Sequence, residues 1–185
     1  MPKSWSCALV PIIALLSMPA FAETIRSVYT PLKLKACENI TPPEMPEASG
    51  GVFRCEGYKG MDVRVAEGDL RMFVSYGPDA ALQTAAEQTL PQFNSLGETL
   101  EWRLADEKPF ATILRFRWDS DNGEGSTLVV TKLGDTDACH MAYVVATGNP
   151  NANALARQVA DGQARGFDCE RDKPRTYGPD GKQTD

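Results

Sequence analysis

The chain has 185 residues, of which 42% are hydrophobic, and a formal net charge of −6. An acidic chain without a cluster of Lys and Arg is a poor candidate for binding nucleic acid or anionic lipid. Its length is sufficient for one hydrophobic core in a single domain.

The first residues have the pattern of a secretory signal peptide. Lys3 supplies a basic start, "ALVPIIALLSM" is an apolar run, and "AFA", ending at Ala22, is a small-x-small cleavage site. The apolar run is too short to span a bilayer comfortably. We therefore predict cleavage after Ala22 and export to the periplasm or the medium. An uncleaved membrane anchor is the alternative.

Four cysteines follow the predicted cleavage site: Cys37, Cys55, Cys139 and Cys169. In an exported protein, four cysteines suggest two disulfide bonds. We predict the pairs Cys37–Cys55 and Cys139–Cys169, because each joins neighbours along the chain. The sequence leaves the crossed pairings open.

The first half of the chain reads as short strands. "SVYTPLKL" predicts an edge strand, and the Pro-rich "NITPPEMPEASGG" predicts a surface loop. The strands "GVFRC", "MDVRVA" and "LRMFVSYG" follow, joined by short Gly-containing turns. In the last of these strands, alternation places Leu70, Met72, Val74 and Tyr76 on one buried face. The Ala-rich segment after Asp79 predicts a helix at about residues 80–89.

The second half predicts a meander and then a helix. "ETLEWRLA", "FATILRFRW", "STLVVTKL" and "CHMAYVVAT" have the alternation of half-buried strands, and their short connections favour antiparallel pairing. In "NPNANALARQVADGQARGF", apolar residues recur at steps of three and four, as on one face of a helix. The last residues are polar and contain Pro and Gly, which predicts a flexible tail at 171–185.

These elements predict an α+β fold with one domain at residues 23–170. We expect a mainly antiparallel sheet of about six to eight strands, with the C-terminal amphipathic helix packed on one face. The alternative is a small β-sandwich or barrel with a helix.

The neighbours Cys139 and His140 would be the first candidates for a thiolate nucleophile, a metal site or a haem site. A c-type haem needs C-x-x-C-H, which is absent here. Adjacent residues of a strand point to opposite faces, so a Cys–His dyad is also disfavoured. Alternation would place Cys139 with Met141 and Tyr143, and His140 with Ala142. His140 is thus a candidate ligand residue only if its face lines a pocket.

No metal site or cofactor is predicted. The loop "DSDNGEG", which starts at Asp119, superficially resembles a calcium loop. However, Gly123 is its fifth residue and Val130 its twelfth, whereas an EF-hand needs Gly at the sixth position and Glu at the twelfth. We interpret the segment as a hairpin loop. No catalytic motif occurs, and no catalytic residue is predicted.

Three arginines form the main candidate surface. Arg103, Arg115 and Arg117 fall on the strand faces opposite Trp102, Phe116 and Trp118, which we expect in the core. The arginines could form a basic strip for an anionic group or a partner. The alternative is cross-strand pairing with acids such as Glu98 and Glu101, which needs no function.

Several stretches together resemble a family of small exported alphaproteobacterial proteins. These are "GGVFRCEGYKGMDVRVAEGDLRMFVSYG", "TLPQFNSLGETLEWRL", "PFATILRFRW" and "ACHMAYVVATGNPNANALARQVAD". The resemblance covers most of the chain after Ala22. It implies a Gram-negative periplasm and brings no activity, ligand or catalytic residue with it.

For function, the sequence favours a non-catalytic binding or inhibitory module of the periplasm. Its expected partner is another periplasmic protein or a small anionic ligand, with no nucleic acid and no membrane span after signal cleavage. The alternatives are a hydrolase with an unrecognised carboxylate site and a structural envelope protein.

Overall fold

A computed structural model describes residues 23–46, 50–121 and 123–184; the predicted signal peptide at 1–22 lies outside these ranges. The strands are β1 Ile25–Pro31, β2 Glu38–Asn39, β3 Val52–Glu56, β4 Asp62–Gly68, β5 Arg71–Tyr76, β6 Phe93–Ala105, β7 Lys108–Ser120, β8 Gly123–Leu133, β9 Ala138–Val145, β10 Arg175–Tyr177 and β11 Gln183–Thr184. The helix α1 spans Ala152–Gln163 and lies between β9 and β10.

The strands form two sheets. The larger has seven strands in the order β1-β6-β7-β8-β9-β10-β11, and the smaller has four in the order β2-β3-β4-β5. Pairing is antiparallel except between β9 and β10, which makes the larger sheet mixed. The predicted α+β class is confirmed. The four-stranded sheet adds the second β-layer that the sandwich alternative anticipated.

One core lies between the two sheets. Val63 and Val65 of β4 pack in the same cluster as Leu100 and Trp102 of β6. Trp102 is fully buried, and its indole Nε1 donates a hydrogen bond to Thr30 Oγ1 at 2.9 Å. Burying each of these valine or leucine side chains contributes about 1.5–3 kcal/mol. The predicted core positions of Trp102 and Phe116 are confirmed.

A second core lies on the opposite face of the larger sheet, under α1. Ala156, Val159 and Ala160 of the helix cluster with Val130 of β8 and Ala142 of β9. Small side chains on the helix let its backbone approach the sheet closely. The helix stripe that the sequence predicts is therefore the stripe that packs.

A bulge in β9 changes the alternation that the sequence predicts. Val130 of β8 pairs with Ala142, but the next residue, Thr131, pairs with His140, so Met141 is the extra residue. Cys139, Met141 and Ala142 consequently all face α1. The expected face-sharing of Cys139 with Tyr143, and of His140 with Ala142, is wrong. The opposite orientation of Cys139 and His140 is confirmed.

Both predicted disulfide pairs are confirmed. Cys37 is bonded to Cys55, which fixes the segment after β1 to β3. Cys139 is bonded to Cys169, which lies six residues beyond the end of α1. The second bond therefore joins β9 to the chain that leaves the helix.

The predicted helix at 80–89 is two 3₁₀ turns instead, Ala80–Leu82 and Thr84–Glu87. Between the turns, Gln83 binds the backbone of Tyr76: its Oε1 accepts from the Tyr76 N–H at 3.0 Å, and its Nε2 donates to the Tyr76 carbonyl at 2.5 Å. This tertiary contact interrupts the regular helix. Leu70 also departs from the prediction, because it lies in the turn before β5 and is 60% exposed.

Residues 171–184 also differ from the sequence prediction, which expected a flexible tail at 171–185. β10 pairs with β9 in parallel, and β11 pairs with β10. Tyr177 is buried in the core under α1, and Gln163 Nε2 donates to its hydroxyl at 3.1 Å. The polar composition of this segment gave no indication that Tyr177 would be buried in the core. None of the described helices is long and apolar enough to cross a membrane.

Candidate anion-binding groove

Strand alternation places the arginines of β7 on the face that carries α1. Arg115 is opposite Leu128 of β8, and Leu128 belongs to the core under the helix. Arg117 is two residues further along, so it points to the same side. The structure thus brings Arg115 and Arg117 together at one end of the helix-covered face.

Arg103 of β6 lies on the same face but is buried beneath α1 and is not accessible to a ligand. Only 8% of its side chain is exposed. Its guanidinium makes a two-pronged contact with Asp161 of α1, Nε to Oδ1 at 2.8 Å and Nη2 to Oδ2 at 2.6 Å, and it also donates to Ser27 Oγ. Such paired bonds between a guanidinium and a carboxylate are strong and directional. Arg103 therefore fastens the helix to the sheet and does not belong to an open basic strip.

Glu101 forms a second link between the larger sheet and α1. Arg157 of the helix donates from Nε to Glu101 Oε1 at 2.6 Å, and from Nη2 to the Tyr29 hydroxyl at 3.1 Å. Ser27 also donates to Glu101. The proposed cross-strand pairing with Glu101 thus takes a different form, because its main cation comes from the helix. This pair forms the inner wall of the groove.

Arg115 and Arg117 have no such partner. Among the described residues, no carboxylate oxygen lies within 4.0 Å of either guanidinium. Arg115 donates to two neutral oxygens, Ser126 Oγ at 2.9 Å and Asn153 Oδ1 at 3.4 Å. Partial burial and the charge of Arg117 both lower the pKa of Arg115. Two neighbouring positive charges are therefore incompletely compensated at this point.

A groove of about 300 Å³ opens in front of these two guanidiniums. Its walls include Tyr29, Thr99, Asn153 and Arg157. Gly97 lies at its base, where an added Cβ would be 3.2 Å from Arg115 Cβ. A larger residue there would push on the arginine, so glycine keeps the groove open. Its size is suited to a single small anionic group.

The acidic members of the groove are already engaged. Glu101 is buried against Arg157, and Glu98 lies at the rim with Lys33 Nζ 3.9 Å from its Oε2. Arg115 and Arg117 are the charged groups that face the opening without a counter-ion among the described residues. The groove therefore favours an oxyanion.

His140, the fourth candidate residue, is not part of the groove. It is buried on the opposite face of the sheet, where its ring lies 6.4 Å from Phe116 and 5.6 Å from Tyr143 between centroids. Its Nδ1 is 3.1 Å from the Tyr143 hydroxyl oxygen. Burial lowers the pKa of His140 to about 3, so the ring is neutral at physiological pH. His140 acts in the core and does not form a ligand surface with the arginines.

Among the described carboxylates with a resolved pKa shift, the pKa is lowered in each case by neighbouring hydrogen-bond donors. These are Glu107, Asp135, Asp168 and Asp180. Within the described ranges, no group of three or more His, Cys, Asp or Glu side chains is arranged to hold a metal. Asn122 of the "DSDNGEG" loop lies outside those ranges.

Sequence reasoning missed Tyr29, Asn153 and Arg157 as members of the groove. Arg157 is on the polar face of a recognisable amphipathic helix, but the pattern does not say which part of the sheet that face would meet. Comparison with known proteins found no matching family model, curated protein or solved structure. The geometry of the groove therefore carries the functional argument alone.

Proposed function

We propose that this protein is an exported, non-catalytic binding module that holds an anionic group in the groove in front of Arg115 and Arg117. The single observation that carries the proposal is the contrast between these two arginines and their neighbours. Arg103 and Arg157 on the same face are each paired with a carboxylate, at Asp161 and Glu101.

The guanidinium of Arg115 is partly buried with no carboxylate within 4.0 Å in the described ranges, which is costly unless something compensates it; Arg117 beside it is exposed. Two like charges two residues apart on one strand repel each other, and burial weakens the screening by water. A bound oxyanion would relieve both effects. Guanidinium groups also match the geometry of carboxylate and phosphate oxygens, because their N–H donors are fixed in a plane.

The groove determines the chemical class of the group that binds, but not whether that group belongs to a small molecule or to a protein. A carboxylate or phosphate group fits the volume and can accept hydrogen bonds from Arg115, Arg117 and the hydroxyl of Tyr29. The group could belong to a small molecule or to a side chain of a partner protein. In both cases the chemistry of recognition is the same.

The compartment is part of the proposal. The signal-peptide pattern before Glu23, two disulfide bonds and the resemblance to exported alphaproteobacterial proteins together favour the periplasm. Intact-mass measurement of the protein recovered from a periplasmic extract should show loss of residues 1–22. A mass that includes these residues would contradict cleavage after Ala22.

The binding proposal is tested by nitrogen-resolved NMR of the arginine side chains during titration with inorganic phosphate and, separately, acetate. We expect saturable shifts confined to the Nε–H signals of Arg115 and Arg117. The double variant R115Q/R117Q keeps hydrogen-bonding capacity but has no such signals, so binding is compared at the backbone amides of Gly97 and Asn153, which should shift saturably in the wild type and not in the variant.

The matched control is R54Q/R171Q. Arg54 and Arg171 are exposed arginines paired with Glu38 and Asp168, far from the groove in the fold. This variant removes the same charge and should keep the saturable shifts. Equal, unsaturable shifts at all exposed arginines would show only general attraction of anions and would overturn the proposal.

A further inference from the structure

A second cavity lies directly beyond Arg117 and shares this residue with the groove. Its volume is about 440 Å³, and its walls include Trp118, Phe93 and Leu70. It sits where β6 and β7 run past the hairpin between β4 and β5. We call it the aromatic pocket.

Two exposed apolar side chains line the aromatic pocket. Phe93 is 49% exposed and Leu70 is 60% exposed, although both are large hydrophobic residues. The ring of Trp118 lies across β8, where an added Cβ on Gly125 would be 2.2 Å from it, and its Nε1 donates to Thr127 Oγ1 at 3.1 Å. The indole is thus fixed in place on the face of β7 that packs against the core between the two sheets. The exposed side chains of Phe93 and Leu70 offer apolar surface on which the methylene stem of a long basic side chain can pack.

The charge of the aromatic pocket is opposite to that of the groove. Glu67, Asp119 and Glu124 lie in its wall, and no cation lies within 4.0 Å of their carboxylates among the described residues. Asp119 and Glu124 face each other directly across β7 and β8, an arrangement that destabilises a sheet unless it is compensated. Arg71 lies over one face of the Phe93 ring at 5.3 Å but pairs with Asp69, outside the pocket.

The two sites lie on one strand and are in register. Arg115, Arg117 and Asp119 are alternate residues of β7 and therefore point to one side. From Arg115 to Asp119 the strand rises by about 13 Å, at roughly 3.3 Å per residue. An extended peptide rises at the same rate. Two of its side chains four residues apart would therefore reach both sites.

A short stretch of the β6 edge beside these residues is free. β1 covers β6 from Thr99 onward and the turn before β5 covers it at Asn94, so within the described ranges the free edge is the stretch 95–97. The backbone contacts that flank it are Asn94 N–H to the Leu70 carbonyl and Leu32 N–H to the Glu98 carbonyl. The stretch between these contacts adjoins both the groove and the aromatic pocket.

We propose that the ligand of this protein is an extended peptide segment carrying an acidic side chain and, about four residues away, a basic one. The acidic group occupies the groove at Arg115 and Arg117, so this inference rests on the proposed function. The basic group enters the aromatic pocket, where its apolar stem packs on Phe93, which pairs with Asp119 and faces the same side, and its charge lies between Asp119 and Glu124. The partner is therefore a protein segment and not a small free anion.

The test is selection from a display library of random linear heptapeptides on the folded, disulfide-bonded protein. The wild type should enrich peptides that contain an acidic and a basic residue four positions apart, because spacings of three or five would put the two side chains on opposite sides. R115Q/R117Q should lose the enrichment of acidic residues. D119N/E124Q should keep the acidic enrichment and lose the basic one, with at least a five-fold drop in affinity for the selected peptides.

The matched control for the acidic pair is E56Q/E87Q, two exposed acids outside the aromatic pocket. It should select the same peptides as the wild type, and circular dichroism should confirm that every variant is folded. If acidic residues are enriched without a basic companion, the aromatic pocket is not a peptide site, while the proposed function stands. If acidic residues are not enriched, or no peptide is, the peptide inference is overturned, and the titrations with phosphate and acetate decide the proposed function separately.

Discussion

The two ends of the sheet face under α1 use the same residue type for different purposes. At one end, Arg103 is buried and closed by Asp161, and together they hold the helix on the sheet. At the other end, Arg115 lies beside Arg117 in front of an open groove, with no carboxylate within 4.0 Å in the part of the chain that the structure describes. A buried arginine with a matched acid is part of the framework. An arginine left without one, at the edge of the same interface, is available to a ligand.

The largest expected effect comes from breaking the closed end. The substitution Arg103→Met removes the guanidinium and leaves the carboxylate of Asp161 without its partner beneath the helix. Removing one member of a buried ion pair costs about 3–5 kcal/mol, and we expect about 3 kcal/mol because 29% of the Asp161 side chain is exposed.

Urea-induced unfolding at pH 7 would measure this loss, with Arg115→Met as the matched control at the open end. That control should change the free energy of unfolding by less than about 1 kcal/mol, because water can enter the groove and hydrate Ser126 and Asn153. Equal losses in both variants would remove the distinction between the two ends.

The sequence predicted the elements well where periodicity and chain distance decide them. The meander strands, the stripe of α1 and both disulfide pairs follow from alternation, from the recurrence of apolar residues and from nearness along the chain. It was less successful where one tertiary contact overrides a local pattern. Gln83 binding the backbone of Tyr76, and Tyr177 entering the core from a polar segment, have no local signal.

The candidate site could be predicted only in part for the same reason. Strand parity is a local property, so it correctly placed Arg103, Arg115 and Arg117 on the face opposite the core tryptophan. Whether each arginine forms an ion pair depends on where α1 packs on the sheet. The apolar pattern of the helix does not specify that position. The bulge at Met141 likewise places Ala142 and Tyr143 on the faces opposite to those that regular alternation predicts, and no Gly or Pro in the sequence indicates it.

The two faces of the larger sheet should also respond differently to acid. On the face away from α1, burial holds the pKa of His140 at about 3, against 6.5 in the unfolded chain. The unfolded state therefore binds this proton first as the pH falls. The stability due to a neutral His140 is complete above pH 6.5 and is lost progressively as the pH falls towards 3.

Between pH 7.5 and pH 5, this linkage should remove about 2 kcal/mol from the free energy of unfolding. The variant His140→Gln will be less stable at pH 7.5, but its free energy of unfolding should fall by about 2 kcal/mol less over the same range. Because His140 is the chain's only histidine, the difference between the two slopes isolates its contribution. Parallel slopes would show that the buried ring is protonated without cost.

The smallest expected effect belongs to the open end and is the most specific to it. An anion that binds the folded state alone stabilises it by RT ln(1 + [L]/Kd), which is about 0.4 kcal/mol when the anion concentration equals Kd. Inorganic phosphate should therefore raise the melting temperature of the wild type relative to sodium chloride at equal ionic strength. R115Q/R117Q should melt at the same temperature in both salts, whereas R54Q/R171Q should respond as the wild type does.

A general salting-out effect of phosphate would stabilise all three proteins alike, and that result would remove the open end as an anion site. If phosphate raises the melting temperature only of the proteins that retain Arg115 and Arg117, the anion binds at these two arginines and supplies the negative charge that the folded chain does not.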